Sequence, residues 1–212
     1  MADKSNKKFW ERTAKLYTYF QEKGNEELYK TIYEKIKPFF NKEQCVLELA
    51  CGTGQLTRLL SDETDSWTAT DFSEKMVYET EKRLNNQNVI YEVQDATALG
   101  YKDDVFDVVL IANALHIMPN PNKALDEIKR VLKTDGLLIA PTFVYDGKVN
   151  KIRLWFMEKA GFKTFHKWKS QEYMNFIEDN GFKIKEKYLV QGKLLSECVL
   201  VCEKMKVINL CL

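Results

Sequence analysis

Apolar positions recur at two different periods along this 212-residue chain, and the change of period divides it. Over the first forty residues they fall at steps of three and four. Phe9, Trp10, Leu16, Tyr17 and Phe20 form one stripe, Gly24-Asn25 breaks it, and Leu28, Ile32, Tyr33 and Ile36 form a second, closed by Pro38. That spacing gathers the apolar side chains on one face of a helix. From Cys45 short apolar runs replace the stripes. Cys45 to Ala50, Trp67 to Thr70, Val89 to Val93, Phe106 to Ala112 and Leu137 to Ala140 read as strands. Helical stretches separate them: Gln55 to Leu60, a segment capped by Ser73, and a face formed by Ala124, Leu125, Ile128, Val131 and Leu132. Asp135-Gly136 reads as the turn into the fifth strand.

Strands that alternate with helices, and are apolar almost throughout, belong in a parallel sheet covered on both faces. Two further extended runs, Phe182 to Val190 and Cys198 to Glu203, flank a short polar connection at Gly192 and read as an antiparallel hairpin. The expected fold is α/β: a doubly wound seven-stranded sheet, mostly parallel, with an antiparallel C-terminal hairpin. The whole chain, 1–212, reads as one domain, with an N-terminal helical cap over 1–40 and a helical lid over 150–180.

Composition narrows the function. Lys and Arg number 32 against 31 for Asp and Glu, so the balance of +1 supplies no field for nucleic acid. Five cysteines include no C-x-x-C pair, and the two histidines are far apart, so no metal site is expected. The cysteines read as small buried hydrophobes in a reducing cytoplasm. No apolar stretch follows the lysine-rich start as in a secretory signal, and the longest apolar runs are too short to span a bilayer.

Candidate chemistry gathers after the first strand. Gly52-Thr53-Gly54 allows the backbone to approach a ligand closely, and the helix after it aims free N–H groups at the same point. The third glycine of a dinucleotide fingerprint is missing, since Thr57 stands there. Glu48 lies inside the first strand, Asp71 ends the second and Asp95 follows the third. Open α/β sheets bind ligands at the carboxyl ends of their strands, so three acids ring one crevice. They suit a ligand with a ribose diol, donor amines and positive charge. Each acid also has a structural reading: Glu48 as a core carboxylate, Asp71 as the cap of the helix near Ser73, Asp95 as a loop residue.

Five stretches carry a resemblance: VLELACGTGQLT (46–57), TATDFSEKMV (68–77), QDATAL (94–99), FDVVLIANALHIMPNP (106–121) and ALDEIKRVLKTDGLLIAPTF (124–143). In that order and spacing the chain resembles the class I S-adenosylmethionine-dependent methyltransferases, and within them the group that includes the ubiquinone/menaquinone-biosynthesis enzymes. The resemblance implies a Rossmann-like fold and S-adenosyl-L-methionine as cofactor. It implies that the loop of Ala50, Gly52, Thr53 and Gly54 passes under the methionine moiety and that Glu48 reaches the amino group. Asp71 accepts both ribose hydroxyls, Phe72 and Met76 flank the adenine, and Asp95 with the Ala96 N–H reads its edge. Asn113 lines the methyl-donor end. Phe72 and Met76 also read as plain core residues.

The resemblance implies methyl transfer to a small-molecule acceptor by in-line displacement, in the cytoplasm, by a monomer or homodimer. His116 is the one base near the expected site, and Tyr17 a second candidate; the other reading of His116 is a loop histidine that packs against the lid. After the fourth strand stands Ala112-Asn113-Ala114-Leu115, without the Asn/Asp-Pro-Pro-aromatic segment of enzymes that methylate adenine or glutamine amines. The aromatics of the lid, among them Trp155, Phe162, Trp168, Tyr173 and Phe176, form either an acceptor pocket or the core faces of helices. Two other functions fit the same fold: a cofactor-binding module without turnover, and an NAD-binding oxidoreductase.

Overall fold

Strand direction and order place the site, and both follow from the apolar runs. The computed structural model describes residues 25–146, 164–193 and 195–205. Among these, seven strands form one sheet: β1 (Cys45–Leu49), β2 (Ser66–Asp71), β3 (Val89–Val93), β4 (Phe106–Ile111), β5 (Leu132–Val144), β6 (Phe182–Val190) and β7 (Ser196–Lys204). Their order is β3-β2-β1-β4-β5-β7-β6. The first five run parallel, whereas β7 is antiparallel to both β5 and β6. The mostly parallel sheet and the C-terminal hairpin are therefore as expected. The switch in order falls between β1 and β4, beside the glycine loop.

Each sheet face buries a separate apolar layer. Val46, Val108, Leu110, Ile139, Val199 and Val201 point to one side. There they meet Leu28, Ile32 and Ile36 of α1, helical over residues 25–36, and Leu60 of α2 (Thr57–Leu60). On the other side Leu47, Val109, Leu138, Ala140 and Leu200 meet α4 (Pro121–Val131) and α5 (Ser170–Asp179). The remaining helix, α3 (Glu74–Leu84), packs beside β2 and β3. Its first turn is closed by Ser73, whose hydroxyl accepts from the Met76 N–H.

Three elements differ from the sequence reading. Asp135-Gly136 is not a turn ahead of the fifth strand but lies within it. Leu132 stands opposite Phe106 and Leu137 opposite Val108, so Lys133 to Gly136 fold out as a wide bulge against Asp107. Asp107 holds that bulge through Lys133 Nζ at 2.8 Å, and it also accepts the Cys45 N–H at 2.9 Å. The helix after the glycine loop begins only at Thr57.

The third difference concerns the segment expected to be a helical lid. Residues 164–169 are non-helical, and a helix begins at Ser170. Tyr173, Met174 and Ile177 are buried in the core, and the Tyr173 hydroxyl donates to the Ala140 carbonyl at 2.9 Å. Trp168 stacks on Phe176. Tyr17, the stripe before it, Trp155 and Phe162 lie outside the described residues.

Candidate functional site

The turn leaving β1 is built from left-handed residues. Ala50, Gly52 and Gly54 have φ of 54°, 58° and 79°. This alternation curls the chain so that the Cys51 N–H donates to the Thr70 carbonyl at 2.8 Å and the Gly52 N–H to Asp71 Oδ2 at 3.0 Å. Thr80 of α3 closes the other side, its hydroxyl donating to the Gly52 carbonyl at 2.8 Å. Ala50, Cys51, Gly52 and Gln55 consequently line a crevice at the carboxyl edge of β1, β2 and β4.

Thr53 and Gly54 do not line it. Thr53 is fully buried, its carbonyl accepts from the Arg83 guanidinium, and its hydroxyl accepts from Gln55 Nε2 at 2.7 Å. A methyl group on Gly54 would come within 2.7 Å of Thr80 Cγ2, so this glycine answers to α3 behind the loop. The expected helix dipole is also curtailed. With four residues, α2 offers only a single turn.

Glu48, Asp71 and Asp95 do meet in the crevice lining. Glu48 is buried, and two donors converge on one of its oxygens: Thr57 Oγ1 at 2.7 Å and Trp67 Nε1 at 3.0 Å, both to Oε2. Burial pushes its carboxyl up to about 7 despite those bonds. Asp71 accepts one backbone N–H on each oxygen, from Gly52 and from Ser73 at 2.8 Å, and burial raises it to about 6. Because Ser73 caps α3, Asp71 is not the cap. Asp95 Oδ1 accepts from the Thr97 N–H at 2.9 Å and the Thr97 hydroxyl at 2.7 Å, which fixes the loop after β3.

Phe72, Met76, Ala96 and Asn113 complete the lining as placed from sequence. Tyr29 of α1, Gln94, Ile117, Met118 and Lys123 join it without having been singled out. Tyr29 belongs to the apolar stripe of α1, and stripe membership alone does not separate a crevice wall from a core position.

His116 stands outside the crevice lining. It is buried in the short turn Leu115–Ile117, with Nδ1 3.0 Å from Thr142 Oγ1 and its ring edge-on to Phe143. Burial depresses it to about 3 and keeps it neutral. A base facing the crevice does not fit this placement; the loop histidine sits instead against the segment before α5, whose Phe165 and His166 N–H groups donate to its carbonyl. His166 is half-buried: its ring stacks on Trp168 at 4.7 Å, and its backbone N–H donates to the His116 carbonyl.

Asn113 has a partner that sequence reasoning missed. Its Nδ2 donates to Glu197 Oε1 at 2.9 Å. Glu197 is fully buried on β7, and burial raises it to about 7. A lone acid in the apolar run Leu194 to Cys202 is the same signal that marked Glu48.

Among the described residues no cluster of histidine, cysteine and acidic side chains is placed to hold a metal ion, and no helix is long and apolar enough to cross a membrane.

Comparison with known proteins bears on this geometry. Residues 47–140 match a family described as a methyltransferase domain. A ubiquinone/menaquinone biosynthesis C-methyltransferase of Hydrogenovibrio crunogenus is 40% identical over 105 residues, which are 46% of this chain and 41% of that protein. A demethylmenaquinone methyltransferase of Staphylococcus haemolyticus is 31% identical over 150 residues, 66% of this chain and 62% of that protein. The chain spans about half the length of the curated relatives it matches first. In three dimensions it is similar to an S-adenosylmethionine-dependent methyltransferase of Thermotoga maritima, with a TM-score of 0.71 at 20% identity, over 93% of this chain and 99% of the other. That likeness concerns the fold. The resemblance to class I methyltransferases of the ubiquinone/menaquinone group is borne out, and S-adenosylmethionine is the cofactor it implies.

Proposed function

We propose, for a chain whose residues 47–140 match a methyltransferase-domain family, that it moves a methyl group from S-adenosylmethionine to a small-molecule acceptor by in-line displacement. The observation that carries the reading is the convergence of Glu48, Asp71 and Asp95 with the Ala50–Gly52 backbone on one crevice. The residues fit the cofactor's chemistry. Gly52 puts bare backbone against the crevice. Glu48, held at Oε2 by Thr57 Oγ1 and Trp67 Nε1, lines the crevice as the carboxylate that would meet the ammonium of the ligand. Asp71, oriented by backbone N–H groups of Gly52 and Ser73, lines the crevice as the carboxylate that would accept the ribose hydroxyls. Phe72 and Met76 sandwich the adenine, Asp95 and the Ala96 N–H read its edge, and Asn113 borders the methyl end.

When bound, the cofactor supplies a methyl group on a positively charged sulfur, already activated for displacement. The task of the chain is alignment, which in favourable cases is worth up to about 7–11 kcal/mol of barrier. Tyr29 of α1, with Ile117 and Met118, gives the acceptor an apolar wall, and this is the part of the N-terminal cap that enters our reading.

The test is transfer of labelled methyl from S-adenosylmethionine to a panel of small acceptors. The names of the relatives put demethylmenaquinone first in that panel. Calorimetry with S-adenosylmethionine and with NAD runs beside it. Binding of the former alone, with labelled product, is expected. Binding without product from any acceptor would favour a module without turnover, and binding of NAD alone would overturn the reading.

A further inference from the structure

The pair formed by Asn113 and Glu197 poses a question of hydrogen-bond accounting. Asn113 Nδ2 donates to Glu197 Oε1 at 2.9 Å. The other two oxygens of the pair, Asn113 Oδ1 and Glu197 Oε2, are both buried, and both lack a hydrogen-bond partner. With Glu197 ionised, both are acceptors facing no donor, one of them charged, and each unanswered group costs about 1–3 kcal/mol or more. A single proton resolves the two at once.

We propose that Glu197 is a positioning residue for the crevice: its protonated carboxyl closes a two-bond ring with the Asn113 carboxamide. In that ring Asn113 Nδ2–H donates to Oε1, and Glu197 Oε2–H donates to Asn113 Oδ1. The proton comes from solvent and no covalent bond changes.

The fold explains why a β7 residue reaches this point. β7 runs against the parallel strands, so its beginning lies at their carboxyl edge, where the crevice is. Asn113 occupies the turn after β4, with φ of 54° and its N–H donating to the Pro141 carbonyl at 2.8 Å. A left-handed non-glycine residue is held there by its surroundings. The ring with Glu197 supplies the side-chain half of that hold for a residue that lines the crevice.

The groups around Glu197 leave its proton in place. Its register partners are Phe143 on β5 and Val190 on β6. Tyr29 of α1 belongs to the same apolar layer, and His116, edge-on to Phe143, is neutral. Burial and the bond from Asn113 are the influences that act on its titration, and burial dominates.

The ring itself does not rest on the proposed function; its effect on the cofactor does. Two measurements on the full chain separate them. Glu197→Gln carries an N–H where the acid carries its O–H, at every pH. Thermal unfolding of the ligand-free proteins should differ least below the ordinary glutamate value, and the glutamine variant should gain on wild type as pH rises from there through about 7, above which the gap levels off. A gap that is constant with pH, or that favours wild type as pH rises, would overturn the ring. If the variant fails to fold, carbon-13 titration of the Glu197 carboxyl in wild type decides: a midpoint well above the ordinary glutamate value upholds the ring, and one at or below it overturns the ring. For positioning, Glu197→Ala should weaken S-adenosylmethionine binding at least fivefold, with Glu197→Gln restoring it to within twofold of wild type. An alanine variant that binds like wild type would overturn positioning. A wild type that binds no S-adenosylmethionine would overturn the proposed function and positioning together, and leave the ring to the unfolding test.

Discussion

Two crevice carboxylates hold protons where a cationic ligand needs charge. Glu48 stands at about 7 and Asp71 at about 6, both raised chiefly by burial. A sulfonium ligand that carries an ammonium favours their ionised forms, so binding expels protons. We expect affinity for S-adenosylmethionine to rise from pH 5.5 to 8, with proton release visible by calorimetry in buffers of different ionisation enthalpy. Affinity that ignores pH would argue against both residues as ligands. Asp71→Ala should lower affinity at least tenfold, because it removes two charge-assisted bonds of about 1.5–3 kcal/mol each in favourable cases. Much of this site is legible in the sequence, because a carboxylate in or just after an apolar run has no place in a core without a reason. The same reasoning does not separate Thr53 and Gly54, which share the glycine motif but lie against α3, from the loop residues that line the crevice. It passes over Glu197, whose contact with Asn113 depends on β7 lying next to β5 with its beginning at the carboxyl edge of the parallel strands.

At the scale of elements, periodicity recovers all seven strands and the hairpin, since each is a distinct apolar run. It does not find the bulge in β5. A glycine after an aspartate reads locally as a turn, and only pairing with β4 shows that the strand continues on both sides of it. Gly136 is there for close packing. An added methyl would stand 2.9 Å from Leu132 Cδ2 and 3.0 Å from the Lys133 carbonyl. Gly136→Ala should therefore cost about 1–3 kcal/mol, the usual range for overpacking, read as a lower urea midpoint at unchanged slope. A neutral result would mean that the bulge yields freely. The aromatic segment before β6 misleads in a similar way. Its helical period is real from Ser170 onward, but the face it describes is buried against β5 rather than turned to the crevice.

The whole molecule carries the sum of these buried groups as a pH profile. Glu48, Asp71 and Glu197 are raised, so the fold keeps protons that the unfolded chain has lost. Their contribution is fully present below their unfolded values and fades as pH rises through about 6–7. His116 and His166 are lowered by burial and act the other way, favouring the fold more as pH rises towards 6.5. Glu127, held down by Arg130, and Glu63, held down by Lys37, withdraw support in acid. Above pH 6.5 the histidines are neutral in both states and the raised carboxylates act alone. The ligand-free melting temperature should thus peak between about pH 5 and 6.5 and decline towards pH 8. A rise across that interval would contradict the assignment.

Strand order has a consequence for biosynthesis. β7 follows β6 in the chain yet lies between β5 and β6 in the sheet. A nascent chain therefore presents the outer edge of β5 over Leu137 to Val144 until residues 196–204 have left the ribosome. An open edge of that length is a template for pairing with another chain. Ribosome stalling or premature termination before β7 would release polypeptides whose cofactor loop is complete but whose sheet is open, and these are the species that chaperones and proteases must intercept.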